Sequence, residues 1–330
     1  MVKKYYEKDS DLRYLDNKTV AVLGYGNQGR AQALNLRDSG VKVIVGSGRD
    51  DKSESLARRD KFDVLDFAEC GEQADILMLL LPDEVFPQLY REYLKVHLHS
   101  GQVLCFASGY NVYYKLIDIP EAVDVVLLAP RMIGKAVRDM YTEGSGAPSL
   151  IAVEQDFSGE ARHIVLALAK GIGSTRTMVL DSTFEEETVI DLMGEQGVGG
   201  SMIYFARMLC EVLIEAGCSP EAALLEVYAS GENIAVAKAV NEYGLWNQLR
   251  LHSHTSQYGH QTRGTWLVPE ETRTVLRKMV EDIHTGSFQK EWAGVQADGM
   301  KEFERTWEKN LDHPIMKMED DLYRELGRRK

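Results

Sequence analysis

Thr19-Val20-Ala21-Val22-Leu23-Gly24-Tyr25-Gly26-Asn27-Gln28-Gly29 runs from an apolar stretch into a glycine-rich turn, and its reading decides the fold. The apolar residues predict a β-strand, Arg30 to Ser39 predicts a helix closed by Gly40, and Val41-Lys42-Val43-Ile44-Val45 resumes the sheet. A strand, glycine turn and helix in this order form a dinucleotide-binding unit. Gly24 permits the tight turn, Gly26 lets the backbone approach a pyrophosphate, and Gly29 lets helix pack on strand. Free N–H groups at the helix start face the phosphates, helped by the helix dipole. Gly24, Tyr25, Gly26, Asn27, Gln28 and Gly29 are therefore the first cofactor-binding candidates. The bland alternative is an accidental glycine turn, which the flanking strand and helix disfavour.

Outward from this unit, apolar runs recur. Ile76-Leu77-Met78-Leu79-Leu80-Leu81 ends in Pro82-Asp83, Val103-Leu104-Cys105-Phe106-Ala107 ends in Ser108-Gly109, and Val125-Val126-Leu127-Leu128-Ala129 ends in Pro130. A further run, Leu150 to Val153, follows Gly144-Ser145-Gly146. Runs apolar at every residue are what strands covered on both faces look like. Alternation with helices predicts an α/β fold with a parallel, doubly wound sheet. Ligands sit at the carboxyl ends of such strands, which places Pro82, Asp83, Ser108 and Arg131 on loops facing the cofactor.

From about Thr183 the texture changes to long helical patterns. Thr183-Phe184-Glu185-Glu186 predicts a capping box, with Glu three residues after the Thr cap. We place the domain boundary near Ser182, giving a dinucleotide-binding domain at 1–182 and an all-helical domain at 183–330.

Composition narrows the function. A net charge of −13 disfavours nonspecific binding to nucleic acid or anionic membranes, although it leaves room for a locally basic pocket. Cys70, Cys105, Cys210 and Cys218 are widely spaced, which suggests reduced structural cysteines rather than a disulfide framework or zinc site. Residues 1–15 are dense in charge and unlike a signal peptide, and no window reads as approaching the roughly 20 apolar residues of a membrane span. A cytoplasmic enzyme is the simplest expectation.

The second strand ends Gly46-Ser47-Gly48-Arg49-Asp50-Asp51-Lys52-Ser53-Glu54-Ser55. Arg49, Lys52, Ser53 and Ser55 suit a 2′-phosphate, whereas Asp50 and Asp51 would repel one. NADPH is favoured, NADH stays open, and a solvated loop of mixed charge is the alternative. Asp191 and Glu195 lie four apart, on one helical face. They fit a solvated surface, a Mg²⁺ site, or general acid work, and spacing alone does not choose.

The glycine-rich unit joins further motifs. These are Ala129-Pro130, Leu150 to Gly159, Gly171-Ile172-Gly173, Thr183 to Thr188, Asp191-Leu192-Met193-Gly194-Glu195-Gln196, and His313-Pro314-Ile315. Together, from about residue 10 to the end, they resemble the short form of ketol-acid reductoisomerase. The resemblance implies an NADPH- and Mg²⁺-dependent enzyme with a Rossmann domain and a knotted helical domain, assembling as a homodimer or larger. It also implies alkyl migration and then hydride reduction of acetohydroxy acids. Asp191 and Glu195 match two metal carboxylates, and Glu226 matches a third, which short forms take from the partner subunit. The fourth falls on Ser230. Glu232 is a possible substitute, but six residues on along an unbroken helix points elsewhere. Ser253 fits a substrate-binding serine, and Glu226 and Arg131 are further substrate candidates.

Two departures stand out. The loop after the fourth strand normally offers a histidine and here reads Phe106-Ala107-Ser108-Gly109-Tyr110-Asn111. The next loop normally reads Lys-Gly-Pro-Gly-His and here is Arg131-Met132-Ile133-Gly134-Lys135, in which Gly134 is assigned to the cofactor. A forked guanidinium does not replace a compact ammonium, and losing histidine removes the group that titrates nearest neutrality. The cofactor apparatus looks intact and the migration apparatus damaged. The expectation is an NAD(P)H-dependent reductase acting on a different, anionic substrate. Arg131 and Ser108 would line the substrate side, and Glu195 would donate a proton if burial beside Asp191 raises its pKa. Arg131, Lys135 and Arg138, with Arg250, His252, His254, His260 and Arg263, motivate the anionic substrate; ordinary surface cations are the alternative. The alternatives are a working ketol-acid reductoisomerase and a noncatalytic nucleotide-binding regulator.

Overall fold

The computed structural model describes residues 2–48 and 52–329. Packing divides the chain after Ile190 into two units, 1–190 and 191–330. The division falls later than Ser182 because the first turns of helix Phe184–Met193 bury Phe184, Glu187 and Thr188 in the first unit.

Among the described residues, the first unit is built on nine strands. They are β1 (Lys4–Tyr5), β2 (Thr19–Leu23), β3 (Lys42–Gly46), β4 (Asp63–Leu65), β5 (Ile76–Leu79), β6 (Val103–Phe106), β7 (Asp124–Pro130), β8 (Ser149–Gln155) and β9 (Val179–Asp181). Their order is β1-β9-β8-β7-β6-β5-β2-β3-β4, so the strand order, though not the strand direction, switches at β2, between β3 and β5. Successive strand residues face opposite sides, and both sides are covered. Val20 and Val22 enter one core with Ile76, Met78, Val103 and Cys105; Ala21 and Leu23 enter the other with Leu77, Leu79, Leu104 and Phe106. That explains why these strands read as uninterrupted apolar runs.

The sheet is mixed, which corrects the all-parallel expectation. β8 runs antiparallel to β7, with Pro130 opposite Ser149, and β1 runs antiparallel to β9. The chain leaves β7 at its carboxyl end, makes helix Gly134–Thr142 against helix Asn27–Asp38, and turns through Gly144 without crossing the sheet. It therefore re-enters from the same end, and Arg131 N–H donates to Pro148 O at 2.8 Å.

The second unit is helical. Its small core gathers Cys210, Leu224, Ala229, Ile315 and Leu322 from the helices around them. The helical run Phe184–Glu215 corrects the expectation about apolar windows: one 18-residue window has a mean hydropathy of 1.4, enough in length and composition for a membrane span. Only 6% of that window is buried within the chain. Met202, Ile203, Met208 and Val212 on this run are all exposed.

Candidate functional site

The glycine turn is built by close approach. Gly24 sits at φ +92°, and a Cβ there would lie 2.6 Å from Leu80 O. A Cβ on Gly29 would lie 1.8 Å from Gly24 O, so helix Asn27–Asp38 is pressed onto the turn it follows. Gly26, in contrast, faces open space within 4 Å, as a phosphate cradle requires. Tyr25 anchors the turn from below. Its ring is buried, and its hydroxyl donates to Asp60 Oδ2 at 2.9 Å. Burial is the main cause that pushes this phenol up. Arg30 Nε donates to the same carboxylate at 2.7 Å and is the main cause holding Asp60 below its ordinary pKa.

A cleft of about 720 Å³ opens above this turn. Gly24, Tyr25, Gly26, Asn27 and Gln28 line its floor, Ser47 and Ser53 one part, and Pro82, Asp83, Ser108 and Asn111 another. Volume, open glycine and helix start suit a dinucleotide. Three expected cofactor residues do not line it. Gly29 is used up in packing, and Ser55 is exposed on helix Lys52–Arg59. Gly134 acts from behind: a Cβ there would lie 2.0 Å from Asn27 O. Arg49, with Asp50 and Asp51, lies outside the described residues. Beside Ser47, a smaller hollow of about 250 Å³ is rimmed by Glu54, Asp66 and Glu69 as well as Arg58.

The loop after β7 is fastened to the glycine turn. Gln28 Nε2 donates to Met132 O at 2.7 Å, and Lys135 N–H donates to Asn27 Oδ1 at 3.1 Å. At the head of that loop, Arg131 Nη1 donates to Glu187 Oε1 at 3.2 Å. The Glu187 side chain is 1% exposed, and its other oxygen accepts Gly109 N–H at 2.7 Å. Ser108 Oγ donates to Asp83 Oδ2 at 3.2 Å. Asn111 Nδ2 donates to both the backbone oxygen and the carboxylate of Asp83, at 3.2 and 3.0 Å. Asn111 Oδ1 is buried with no partner.

The other basic residues of this region are engaged by neighbours. Lys135 pairs with Asp139, and Arg138 reaches Asn35 and Asp38. In the second unit, Arg263 stacks on Trp266, His252 meets Gln248 at 3.1 Å, and His260 meets Ser256. What remains of the anion argument is Arg250 and His254, with Arg131 already turned to Glu187.

The expected metal residues all lie on the helical unit. Asp191 is half-buried, whereas Glu195 is exposed in a π-helical turn, Gly194–Gly200. The wider turn departs from the four-residue stripe expected of an α-helix. Exposure also removes, within this chain, the burial on which the Glu195 proton-donor expectation rested. Glu226 is exposed in a second π-helical turn, Leu225–Ala229. Gly231 at φ +88° then breaks the helix, so Glu232 starts a new one and the unbroken-helix premise is corrected. Ser253 caps helix His254–Leu267, accepting Ser256 N–H at 3.3 Å. Among the described residues, no three His, Cys, Asp or Glu side chains gather as a metal site.

Sequence reading passed over Glu187 and Asn111 as site residues, and it set Asp83 on a cofactor-facing loop without giving it a role. Glu187 carried a signal, since the four-residue spacing of Asp191 and Glu195 extends back to it. Thr183 caps its helix, accepting Glu186 N–H at 3.0 Å, but the Glu186 carboxylate takes Ser182 Oγ instead of completing the box.

Comparison with known proteins fits both units. Residues 14–178 match the profile of the acetohydroxy acid isomeroreductase NADPH-binding domain, and residues 184–327 match that of the ketol-acid reductoisomerase C-terminal domain. The chain is 42% identical over 328 residues to a ketol-acid reductoisomerase (NADP(+)) of Methanopyrus kandleri, covering 99% of each. It is 43% identical over 316 residues to the enzyme of the same name from Pyrobaculum calidifontis, covering 96% of each. The solved NADH-preferring ketol-acid reductoisomerase from an uncultured archean superposes with a TM-score of 0.93 at 35% identity, covering 98% of each chain. The chain therefore belongs to the ketol-acid reductoisomerase family and is an NAD(P)H-dependent oxidoreductase.

Proposed function

We propose that this enzyme reduces the carbonyl of a small anionic keto or ketol acid, with the hydride-transfer half of the family reaction as its main capacity. NAD(P)H, when bound, supplies the hydride. The glycine turn, including Gly24 and Gly26, holds the phosphates, and Ser53 stands where an adenosine ribose or its phosphate would lie. Arg131 orients an anionic group of the substrate, since a forked guanidinium serves Glu187 and a second oxygen together.

The observation that carries this reading is the Arg131–Glu187 pair at 3.2 Å. The position that offers a compact lysine in the family here bears a guanidinium turned to a buried carboxylate. Ser108 stands where an imidazole would, its proton given to Asp83. Both changes remove proton-moving groups that migration would use, while leaving the nucleotide cleft intact.

A second reading, full isomeroreduction of acetohydroxy acids, is favoured by the 42% identity over the whole length of relatives so named. Paired assays separate them. The first reading expects NAD(P)H oxidation with the already rearranged 2-keto acid, or another anionic ketone, and little with acetolactate. Comparable turnover of acetolactate would sink it in favour of the second.

Mg²⁺ is part of the proposal only as a ligand of Asp191 and Glu195, with Glu226 supplied across a dimer. One chain does not gather such a set among the described residues, so no step is routed through the cation. Ser253 caps its helix at an exposed position that suits a substrate contact. A homodimer or larger assembly is supported by the uncovered apolar run of Met202, Ile203 and Val212, and by exposed Trp246 and Trp266. The reduced, mostly buried thiols suit a cytoplasmic location.

A further inference from the structure

We propose that Asn111 is a positioning residue for the nicotinamide ring, its Oδ1 accepting an N–H of the ring's carboxamide. The inference rests on nucleotide binding in the cleft and goes beyond it to one atom. Asn111 is 3% exposed and follows the carboxyl end of β6. Its amide orientation is fixed by chemistry. The backbone oxygen and carboxylate of Asp83 are both acceptors, so only the amide NH₂ is tolerated on that side. Turning the group over would set three oxygens against one another.

Asn111 lines the cleft, and its Oδ1 is left on the side away from Asp83, buried and without a partner. A buried acceptor without a donor is costly to a fold, and such atoms are rare unless a ligand completes them. The missing group must be a donor. A nicotinamide dinucleotide carries amino groups at two places, the adenine ring and the nicotinamide carboxamide. Adenosine belongs at the end of β3, beside Ser47 and Ser53, on the other side of the glycine turn in the sheet order. The carboxamide is what remains for the end of β6.

Ser108 does not compete for this role. Its hydroxyl proton goes to Asp83, and its oxygen accepts Tyr110 N–H at 3.3 Å. Asp83 thus braces both Ser108 and Asn111, leaving the Asn111 oxygen to meet the ligand. One directional bond to the carboxamide limits rotation of the ring about its glycosidic bond and selects the face shown to substrate.

The test removes the donor from the ligand and the acceptor from the protein in turn. Dissociation constants are measured by calorimetry for NADPH and for its reduced 3-acetylpyridine analogue, in which methyl replaces the carboxamide NH₂. Wild-type protein is expected to bind the analogue about tenfold or more weakly, because the methyl seals Oδ1 without satisfying it. Asn111→Ala is expected to weaken NADPH by a similar factor and to bind both ligands within about twofold of each other. A role confined to folding would lower both affinities and keep their ratio, which overturns the proposal. Equal binding of the two ligands by wild-type protein also overturns it, and that arm needs no variant to fold. No binding of NADPH to folded wild-type protein would instead strike the nucleotide reading on which the proposal rests.

Discussion

Arg131 and Glu187 stand 3.2 Å apart, with the carboxylate buried and the guanidinium a third exposed. The pair joins the loop after β7 to the first turns of helix Phe184–Met193, and through Gly109 it reaches the loop after β6. One buried acid thus sets two loops at the carboxyl edge of the sheet.

Glu187→Ala is expected to destabilise the protein by about 2–3 kcal/mol, since Gly109 N–H loses its acceptor and Arg131 its counter-charge. Urea denaturation measures this. A change under about 0.5 kcal/mol would show that the pair is not structural.

Ser108→His combined with Arg131→Lys restores the residue types usual in the family. Acetolactate turnover should rise by about tenfold or more if these departures limit migration, the scale of one general acid–base group. An unchanged rate would place the limit elsewhere.

Gly134→Ala drives a methyl against Asn27 backbone, 2.0 Å from its oxygen, where nothing flexible can yield. The glycine turn must shift, and NADPH affinity should fall about tenfold while the sheet's circular dichroism is kept. Affinity within twofold of wild type would mean the turn tolerates the displacement.

Burial pushes the thiols of Cys70 and Cys105 up to about 12 from 9.0. Their folded values exceed the unfolded ones, so the associated stability is complete below about pH 9 and is lost as pH rises towards 12. Iodoacetamide at pH 8 should label exposed Cys218 in native protein and all four cysteines in denaturant. Rapid native labelling of Cys70 or Cys105 would contradict the packing of these thiols, Cys105 within β6 and Cys70 against Gly46 of β3.

Light scattering should return about twice the mass of one chain, and Met202→Glu with Ile203→Glu should reduce it while NADPH binding by the first unit persists. A wild-type monomer at every concentration would overturn assembly through the helical unit.

What was legible in the sequence is local. The strands after Val20, Ile76 and Val103 announce themselves because each is covered on both faces, and the glycine turn because three spacings must hold at once. The reversal of β8 was hidden: its apolar run looks the same in either direction, and only the path through Gly144 and Pro148 decides. Glu187 was marked among three consecutive glutamates only by its spacing from Asp191 and Glu195, and its role shows only in the packing against Gly109. Asn111 gave no sign, because its meaning comes from Asp83, distant in sequence. The break at Gly231 was available to a reader who noticed the glycine. Its left-handed φ, +88°, is what a glycine permits and other residues resist.

The pairing of β1 with β9 sets Lys4 opposite Leu180 at one edge of the sheet. During synthesis the amino-terminal strand must wait, unpaired, until nearly the whole nucleotide unit has left the ribosome. Contacts so remote along the chain slow folding. An affinity tag fused ahead of Lys4 would burden that closing step, whereas one after the final helix would not, so recombinant yield should favour the carboxyl-terminal tag.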